Sequence, residues 1–286
     1  MRRWRFPDGF LLAALCVGAV LACLPVWLEI ARLAIRDPEQ SHILLAPLII
    51  AWLVWVRRER LILAGPSWSI VGPAIMLASW LAMWFGYTRS VDLARHAGAV
   101  GVLLGGVTTI AGPVSMWRIA AAVGATVFLL PIPGRIRQPL ALVLQESGAW
   151  AAQGILEFLG VACQRTGNVL IVNGHSVAVA EACNGMRMIG AVGLVTYLFV
   201  FAHPMRWRLR LVLIAISPII ALLVNVIRLV PTALMFGYAG EDAAEGFHDL
   251  SGWLMLLLAL GLLWGFLALL RWCEVPVDRV GVRGAA

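Results

Sequence analysis

The sequence contains no lysine, and all 22 of its basic residues are arginines. Charged residues make up 13% of the chain, whereas a soluble domain carries about 25%. The formal net charge is +7, but no run of basic residues is interleaved with aromatic ones. The low charge argues against a soluble domain, and the scattered arginines argue against a nucleic-acid partner.

Several catalytic and metal-binding signatures are also missing. The sequence has no HExxH zinc motif, no GxSxG serine elbow and no P-loop, and its five cysteines fit no zinc or disulfide spacing. Cys16 and Cys23 lie in the first apolar run, where a cysteine is usually a small packing residue. A catalytic zinc needs about three protein ligands. The candidates here are scattered along the chain without any ligand spacing: Cys183, His248, His175 and His42. We therefore expect no metal and no cofactor.

Long apolar runs fill most of the chain, which is 62% hydrophobic with a mean hydropathy of +0.91. This composition is typical of a multi-span membrane protein. The run from Phe10 to Ile30 is longer than the apolar core of a signal peptide, about 7 to 15 residues, so we interpret it as a retained span. We predict one all-α integral membrane domain over residues 1–286 with about eight transmembrane helices. The predicted spans are 10–30, 40–56, 69–86, 97–114, 119–132, 185–202, 211–232 and 250–270.

The distribution of arginines sets the predicted orientation, because cytoplasmic loops are enriched in arginine and lysine. With the N-terminus in the cytoplasm, thirteen arginines fall inside and seven fall outside. Most acidic residues, including Glu241 and Asp242, then fall outside. We expect both termini to be cytoplasmic.

This orientation depends on the segment 140–160, which is apolar enough to be considered a span. Gln145 and Glu157 resist full burial in lipid, and a crossing here would put the arginine-rich stretch HPMRWRLR outside. We interpret the segment as an amphipathic helix on the outer face. After it, two β-branched runs flank Asn173-Gly174, which is a strong hairpin signal. An outer-face segment is therefore predicted over 133–184.

Three reactive side chains that are far apart in sequence reach the outer membrane boundary in this topology. Cys183 opens the sixth span, and Arg228 lies near the outer end of the seventh, since about 20 residues cross a bilayer. His248 stands just before the eighth span. Each has an ordinary interpretation as a packing cysteine, a snorkelling arginine or a loop histidine. Their shared depth favours a joint function.

The three residue types together suit catalysis by a thiol nucleophile. A nearby cation lowers the pKa of a thiol, and His248 can pass its proton to a leaving amine. Arg228 can donate hydrogen bonds to a developing oxyanion. Asn225 precedes Arg228 by three residues on the same helical face and can orient it. Arg187, one turn after Cys183, can hold a substrate carboxylate or a neighbouring helix.

Three stretches resemble the motif regions of the exosortase/archaeosortase family: EACNGMR (181–187), NVIR (225–228) and EGFHDLSGW (245–253). DPEQSHILLAPLIIAWLVWVRRERL (37–61) resembles the early Ser-His segment of that family, and LLPIPGRIRQPL (129–140) resembles its Pro-rich turn. Each motif alone is weak, but their order, spacing and shared depth are fairly specific.

The resemblance implies a bacterial integral-membrane cysteine protease or transpeptidase, located in the inner membrane with its active site facing the periplasm or exterior. Its substrates are expected to be secreted proteins with a C-terminal sorting signal, consisting of a Pro-rich motif, a transmembrane helix and a basic tail. Carried over by motif, Cys183 is the nucleophile, Arg228 the assisting cation and His248 the acid/base.

Two of the matched positions have a less direct meaning. Asn184 departs from the family, which commonly has serine after the cysteine. Asparagine still donates a hydrogen bond, so the departure bears on the subfamily rather than on the activity. His42 matches a family position whose role does not follow from the residues, and we group it with the supporting or substrate-binding residues.

Two other function classes stay open. Pro218 and Pro231 in the seventh span are compatible with the broken helix of a transporter, so a non-catalytic transporter or assembly factor is the main alternative. A polymer-handling membrane transferase is the second, because a basic cleft also suits lipid phosphates. A thiol-reactive probe separates these classes, since only the peptidase needs an accessible, activated cysteine.

Overall fold

Two compact units make up the computed structural model of the chain, Met1–Pro133 and Gly134–Ala286. The structure describes residues 4–179, 185–203 and 205–272. Most of these residues are helical, and the second unit also contains a small three-stranded sheet. This mostly helical architecture with a small sheet agrees with the fold class predicted from the apolar runs.

The first unit is a series of helices separated by short breaks. Its α-helices are α1 (Phe6–Ala22), α2 (Leu24–Arg36), α3 (Ala46–Val56), α4 (Arg58–Ala64), α5 (Val71–Arg89), α6 (Asp92–Arg118) and α7 (Ala120–Ala125). Two 3-10 helices cover Pro38–Leu44 and Thr126–Leu129.

The predicted span 10–30 is divided between α1 and α2, whose axes differ by 75°. Pro25 lies in the first turn of α2. Proline has no N–H to donate, and its ring crowds the carbonyl four residues earlier, at Leu21. The break at Cys23 therefore follows from the proline rather than from any change in hydropathy.

Helices α5 and α6 form the most extensive contact of the first unit. Glycines allow the close approach: a Cβ on Gly98 would lie 2.6 Å from the carbonyl oxygen of Ser79, and one on Gly105 would lie 2.6 Å from Cγ of Met76. Small residues at such contacts let membrane helices gain van der Waals packing without a hydrophobic driving force.

One end of the first unit gathers basic and aromatic side chains. Nη1 of Arg118, the last residue of α6, donates to the carbonyl of Arg60 at 3.2 Å. Nε1 of Trp4 donates to the carbonyl of Leu61 at 3.2 Å. The start of α1, the helix α4 and the end of α6 therefore lie together.

The second unit begins with α8 (Gly134–Phe158), followed by β1 (Cys163–Thr166), β2 (Val169–Val172) and β3 (His175–Ala178). Three long helices complete it: α9 (Gly185–Ala202), α10 (Trp207–Tyr238) and α11 (Glu241–Trp272). These three pack against one another around a shared apolar core that includes Met188, Val192, Leu213, Val224 and Leu263.

The hairpin predicted at Asn173-Gly174 is confirmed. Val172 pairs with His175 across a two-residue loop, and both loop residues have positive φ, 51° at Asn173 and 82° at Gly174. These values are those of a type I′ turn, which matches the twist of the flanking strands. The additional strand β1 was not predicted; it joins β2 through a second tight turn, at Gly167.

The hairpin packs on the C-terminal end of α10. Nδ2 of Asn173 donates to the carbonyl of Gly237 at 3.0 Å. A Cβ on Gly237 would lie 2.7 Å from Cγ1 of Val172, so only glycine lets the sheet approach this closely.

The segment 140–160 is helical, as predicted, and forms most of α8. Its buried face contains Ala141, Gln145, Gly148, Ala149, Ala152 and Leu156. The opposite face exposes apolar side chains as well as polar ones, with Val143 61% and Trp150 69% exposed. The placement of this helix on the outer membrane surface stays a prediction.

Among the described residues, three helices are long and apolar enough to cross a membrane: Pro38–Val56, Asp92–Arg118 and Trp207–Tyr238. The number rises to five if two bent pairs each count as one span, Phe6–Ala22 with Leu24–Arg36 and Ala120–Leu129 with Gly134–Phe158. The predicted total of eight is not confirmed. One reason is that the predicted span 119–132 consists of a short α-helix and a single 3-10 turn.

Candidate active site

Arg228 lies inside the second unit, on helix α10. The residue is only 4% exposed, and its neighbours in sequence Val226, Leu229 and Val230 belong to a buried apolar cluster of the same unit. Arginine is almost never buried to this extent unless its charge has a use or a partner. The enclosure keeps water away from the guanidinium, which makes its electrostatic interactions stronger than they would be at the surface.

Asn225 lies one helical turn before Arg228, as predicted, and is 1% exposed. Its Oδ1 is a buried acceptor with no hydrogen-bond partner among the described residues. A buried acceptor left without a partner costs about 1–3 kcal/mol, so proteins rarely keep one without a reason. One face of α10 thus carries a cation, Arg228, and a buried acceptor, Oδ1 of Asn225, that has no partner among the described residues.

The elements that carry the three predicted catalytic residues are neighbours. Helix α9 begins two residues after Cys183, α10 contains Arg228, and α11 contains His248. All three helices pack against one another. The helix that follows Cys183 and the two helices that carry the other motifs therefore belong to one bundle.

The backbones of Arg228 and His248 lie at similar heights in this bundle. Helices α10 and α11 are joined by two residues, and such a short connection between packed helices makes them antiparallel. Arg228 precedes the end of α10 by ten residues, and His248 follows the start of α11 by seven. At 1.5 Å per residue, their Cα atoms lie about 15 Å and 11 Å from the turn.

Helix α11 begins at Glu241, nine residues before the predicted eighth span. His248 therefore lies within the helix rather than before it. Cys183 and Asn184 lie outside the described residues, and the side chains of Arg187 and His248 are also outside the described part. Of these four residues, two have a described backbone. That of Arg187 is in the first turn of α9, and that of His248 is in α11.

The last strand of the sheet, which precedes Cys183 in the chain, packs into the apolar cluster that contains Val226, Leu229 and Val230 of α10. Val179 is fully buried there together with Leu170, Val172 and Leu229. Its N–H donates to the carbonyl of Asn168 at 2.9 Å, which extends the pairing of β2 and β3 by one residue. Val179 is the last described residue before the stretch that contains the cysteine.

A model of the transmembrane exosortase family matches residues 27–265, which is most of the chain. The chain belongs to the transmembrane exosortase family. The match contains all three motif regions and the early segment around His42. No curated protein and no solved structure matches the chain.

His42 lies in the first unit of this exosortase-family chain, in the 3-10 helix Pro38–Leu44. It is 5% exposed, and its Nδ1 has no hydrogen-bond partner among the described residues. Within the part of the chain whose side chains are described, no three His, Cys, Asp or Glu residues are grouped as metal ligands would be.

Cys163 offers a contrast to the predicted nucleophile. It lies in β1, is 7% exposed and forms no disulfide. Burial raises the pKa of the Cys163 thiol, and the carboxylate of Glu157 raises it further, although a backbone hydrogen bond at Ile171 opposes them. Because the thiolate is the reactive form, Cys163 is a poor nucleophile at neutral pH.

Sequence reasoning missed two polar residues near this region, Gln145 and Asn168. Nδ2 of Asn168 donates to Oε1 of Gln145 at 2.9 Å. Gln145 was noted only as a residue that resists burial in lipid. The usable signal was its position, because it occupies the buried stripe of α8 between Ala141 and Ala149.

Proposed function

We propose that this exosortase-family protein is a membrane-embedded cysteine peptidase or transpeptidase that cleaves C-terminal sorting signals of secreted proteins. The observation that carries the proposal is the enclosed pair of Asn225 and Arg228 on α10. This helix packs against both helices that bear the other two motifs. Family membership supports the same assignment.

In the proposed reaction, the Cys183 thiolate attacks the carbonyl carbon of the scissile peptide bond and forms a C–S bond. The carbonyl oxygen becomes an oxyanion, to which Arg228 donates hydrogen bonds from its planar guanidinium. The C–N bond then breaks, and His248 gives a proton to the leaving amine. The remaining thioester is transferred to water or to an amine acceptor, which releases the thiol.

Asn225 is given a supporting role in this reaction. Its Oδ1, which has no partner in the part of the chain that the structure describes, can accept a hydrogen bond from a substrate N–H close to the guanidinium. Asn184, Arg187 and His42 are proposed as further supporting or substrate-binding residues, on the strength of their motifs.

The proposed location is the inner membrane of a bacterium, with both termini in the cytoplasm and the active site at the outer face. The cluster of Trp4, Arg60, Leu61 and Arg118 at one end of the first unit supports this orientation, because it joins segments that the arginine count assigns to the same side. Reporter fusions at Gly174 and Glu241 should report outside, and a fusion after Arg208 should report inside. A cytoplasmic Gly174 would refute the orientation.

The transporter alternative receives no support from α10. This helix runs without interruption from Trp207 to Tyr238 through both Pro218 and Pro231. The broken helix that binds substrate in many transporters is therefore not formed at these prolines.

Cleavage of a membrane-anchored substrate tests the proposal. The substrate carries a Pro-rich motif, a C-terminal helix and a basic tail, and protein levels are measured for every variant. Cys183→Ala should abolish cleavage, since no thioester can form. Cys163→Ala is the matched control and should retain full activity, because its thiol is buried and has a raised pKa. A well-expressed and fully active Cys183→Ala variant would instead favour a non-catalytic role.

A further inference from the structure

A chain of two hydrogen bonds connects helix α8 with the stretch that leads to Cys183. Nδ2 of Asn168 donates to Oε1 of Gln145 at 2.9 Å. The carbonyl of the same Asn168 accepts from the N–H of Val179 at 2.9 Å. Through Asn168, the position of Val179 is thus fixed relative to α8.

Both ends of this chain are buried, and Asn168 between them is half-buried. Gln145 is 8% exposed and is the polar residue in a buried face otherwise made of alanine, glycine and leucine. Val179 is fully buried. Hydrogen bonds to buried partners hold their geometry better than exposed ones, because less water competes for the donors and acceptors.

The turn that carries Asn168 is itself tightly constrained. Thr166 pairs with Val169, so Gly167 and Asn168 alone form the loop between β1 and β2. Gly167 has a φ of +62°, as the first loop residue of a type II′ turn requires. Asn168 is therefore held by its own turn and by Gln145 at once.

The same region is packed against the helix of Arg228. Ala149 and Ala152 of α8 share an apolar cluster with Val179 and Leu229, the residue after Arg228. The ideal Cβ position of Gly148, on the same face as Gln145, lies 3.8 Å from Nδ2 of Asn225. One small assembly of α8, the sheet and α10 thus holds both Val179 and the Asn225–Arg228 pair.

We infer that Gln145 and Asn168 are positioning residues for the nucleophile, which fix the start of the Cys183 segment relative to Arg228. This inference rests on the proposed role of Cys183. In this inference both residues act through Val179, four residues before the cysteine. Nucleophile placement is demanding, since a displacement of about 1 Å can cost on the order of 10²-fold in rate.

The test compares Gln145→Leu and Asn168→Ala with the unmodified full-length protein. Each change removes the side-chain hydrogen bond, and Asn168→Ala keeps the backbone carbonyl that binds Val179. Both should lower kcat by roughly 10- to 10²-fold and leave KM nearly unchanged. The double variant should lose no more than the worse single variant, because the two side chains form one interaction.

Alkylation by iodoacetamide is quantified for each cysteine by mass spectrometry. It distinguishes a displacement of Cys183 alone from a general loosening of the sheet. In both variants the alkylation rate of Cys183 should fall by about tenfold, because a thiol moved away from a cation is less often in the reactive thiolate form. Cys163, which pairs with Val172 in the same sheet, should keep its low rate. Equal rises at both cysteines would mean that the sheet has merely loosened, and would overturn the inference.

Gln153→Leu is the matched control. This glutamine lies two turns further along α8 and also reaches the sheet, since its Oε1 accepts from Nε of Arg165 at 3.2 Å, but this hydrogen bond is exposed. Its loss should change neither kcat nor alkylation. An unchanged kcat in both Gln145→Leu and Asn168→Ala would refute the positioning role. Failure of the proposed function is recognised separately, by an active Cys183→Ala variant.

Discussion

Each unit encloses an arginine among helices, and the two arginines are enclosed in different ways. The Arg95 side chain in the first unit is 20% exposed, and its Nη2 donates to Glu29 at 2.8 Å and to Asp92 at 2.7 Å. Arg228 in the second unit is 4% exposed. It lies inside a 32-residue helix, one turn after Asn225, whose Oδ1 has no hydrogen-bond partner among the described residues.

The difference teaches how to distinguish a structural cation from a candidate catalytic one. Arg95 is neutralised by two carboxylates of its own unit and also lies over the ring of Tyr87, 5.3 Å from its centroid. Such an arginine stabilises the fold. Arg228 combines near-complete enclosure with a neighbouring acceptor that no group in the described part of the chain occupies, which is an arrangement that a bound substrate can exploit.

Apart from Cys183→Ala, the variant of helices α9 to α11 that should lower the cleavage rate most is His248→Ala. Cleavage should fall on the order of 10²–10⁴-fold, because the leaving amine loses its proton donor. The rate is measured on the membrane-anchored substrate, with protein levels checked. A decrease smaller than about tenfold would remove His248 from the acid/base role.

Arg228→Lys should lower the rate by about 10²–10³-fold. Lysine keeps the positive charge but loses the planar fork that donates from two nitrogens. Arg95→Lys is the matched control, and it should retain activity because a point charge still pairs with Glu29 and Asp92. If both variants lose activity equally, the distinction between the two arginines is wrong.

Arg95→Gln should have the smallest effect on catalysis and a measurable effect on stability. The ion pairs with Glu29 and Asp92 are lost from a partly buried site, which should cost about 1–2 kcal/mol. Thermal unfolding in detergent measures the loss, while cleavage per folded molecule should be unchanged. A folded Arg95→Gln variant with greatly reduced cleavage would assign the first unit a catalytic role.

The local signals of the sequence predicted much of the second unit. Asn173-Gly174 specified its turn because both residues accept positive φ, and the spacing of Asn225 and Arg228 predicted a shared helical face. The strand β1 escaped prediction, since CQRT has neither an apolar run nor alternation. The hydrogen bond between Gln145 and Asn168 joins residues 23 apart in sequence, and no local pattern encodes such a contact.

Helix ends and breaks were harder to predict than helices. Hydropathy is continuous through Cys23, yet the chain bends there because Pro25 lies in the first turn of α2. In α10 the prolines leave the helix continuous, because neighbouring groups in a packed bundle can satisfy the freed carbonyls. Composition identifies apolar segments, whereas packing decides where each of them ends.

The central claim is that Cys183 forms a covalent intermediate, and trapping that intermediate tests it most directly. The full-length protein is incubated with the membrane-anchored substrate, quenched in acid, and analysed by mass spectrometry before and after treatment with hydroxylamine, which cleaves thioesters. The account predicts a hydroxylamine-sensitive adduct of the substrate's N-terminal fragment on the peptide that contains Cys183. Efficient cleavage without any adduct on that peptide, together with an active Cys183→Ala variant, would contradict it.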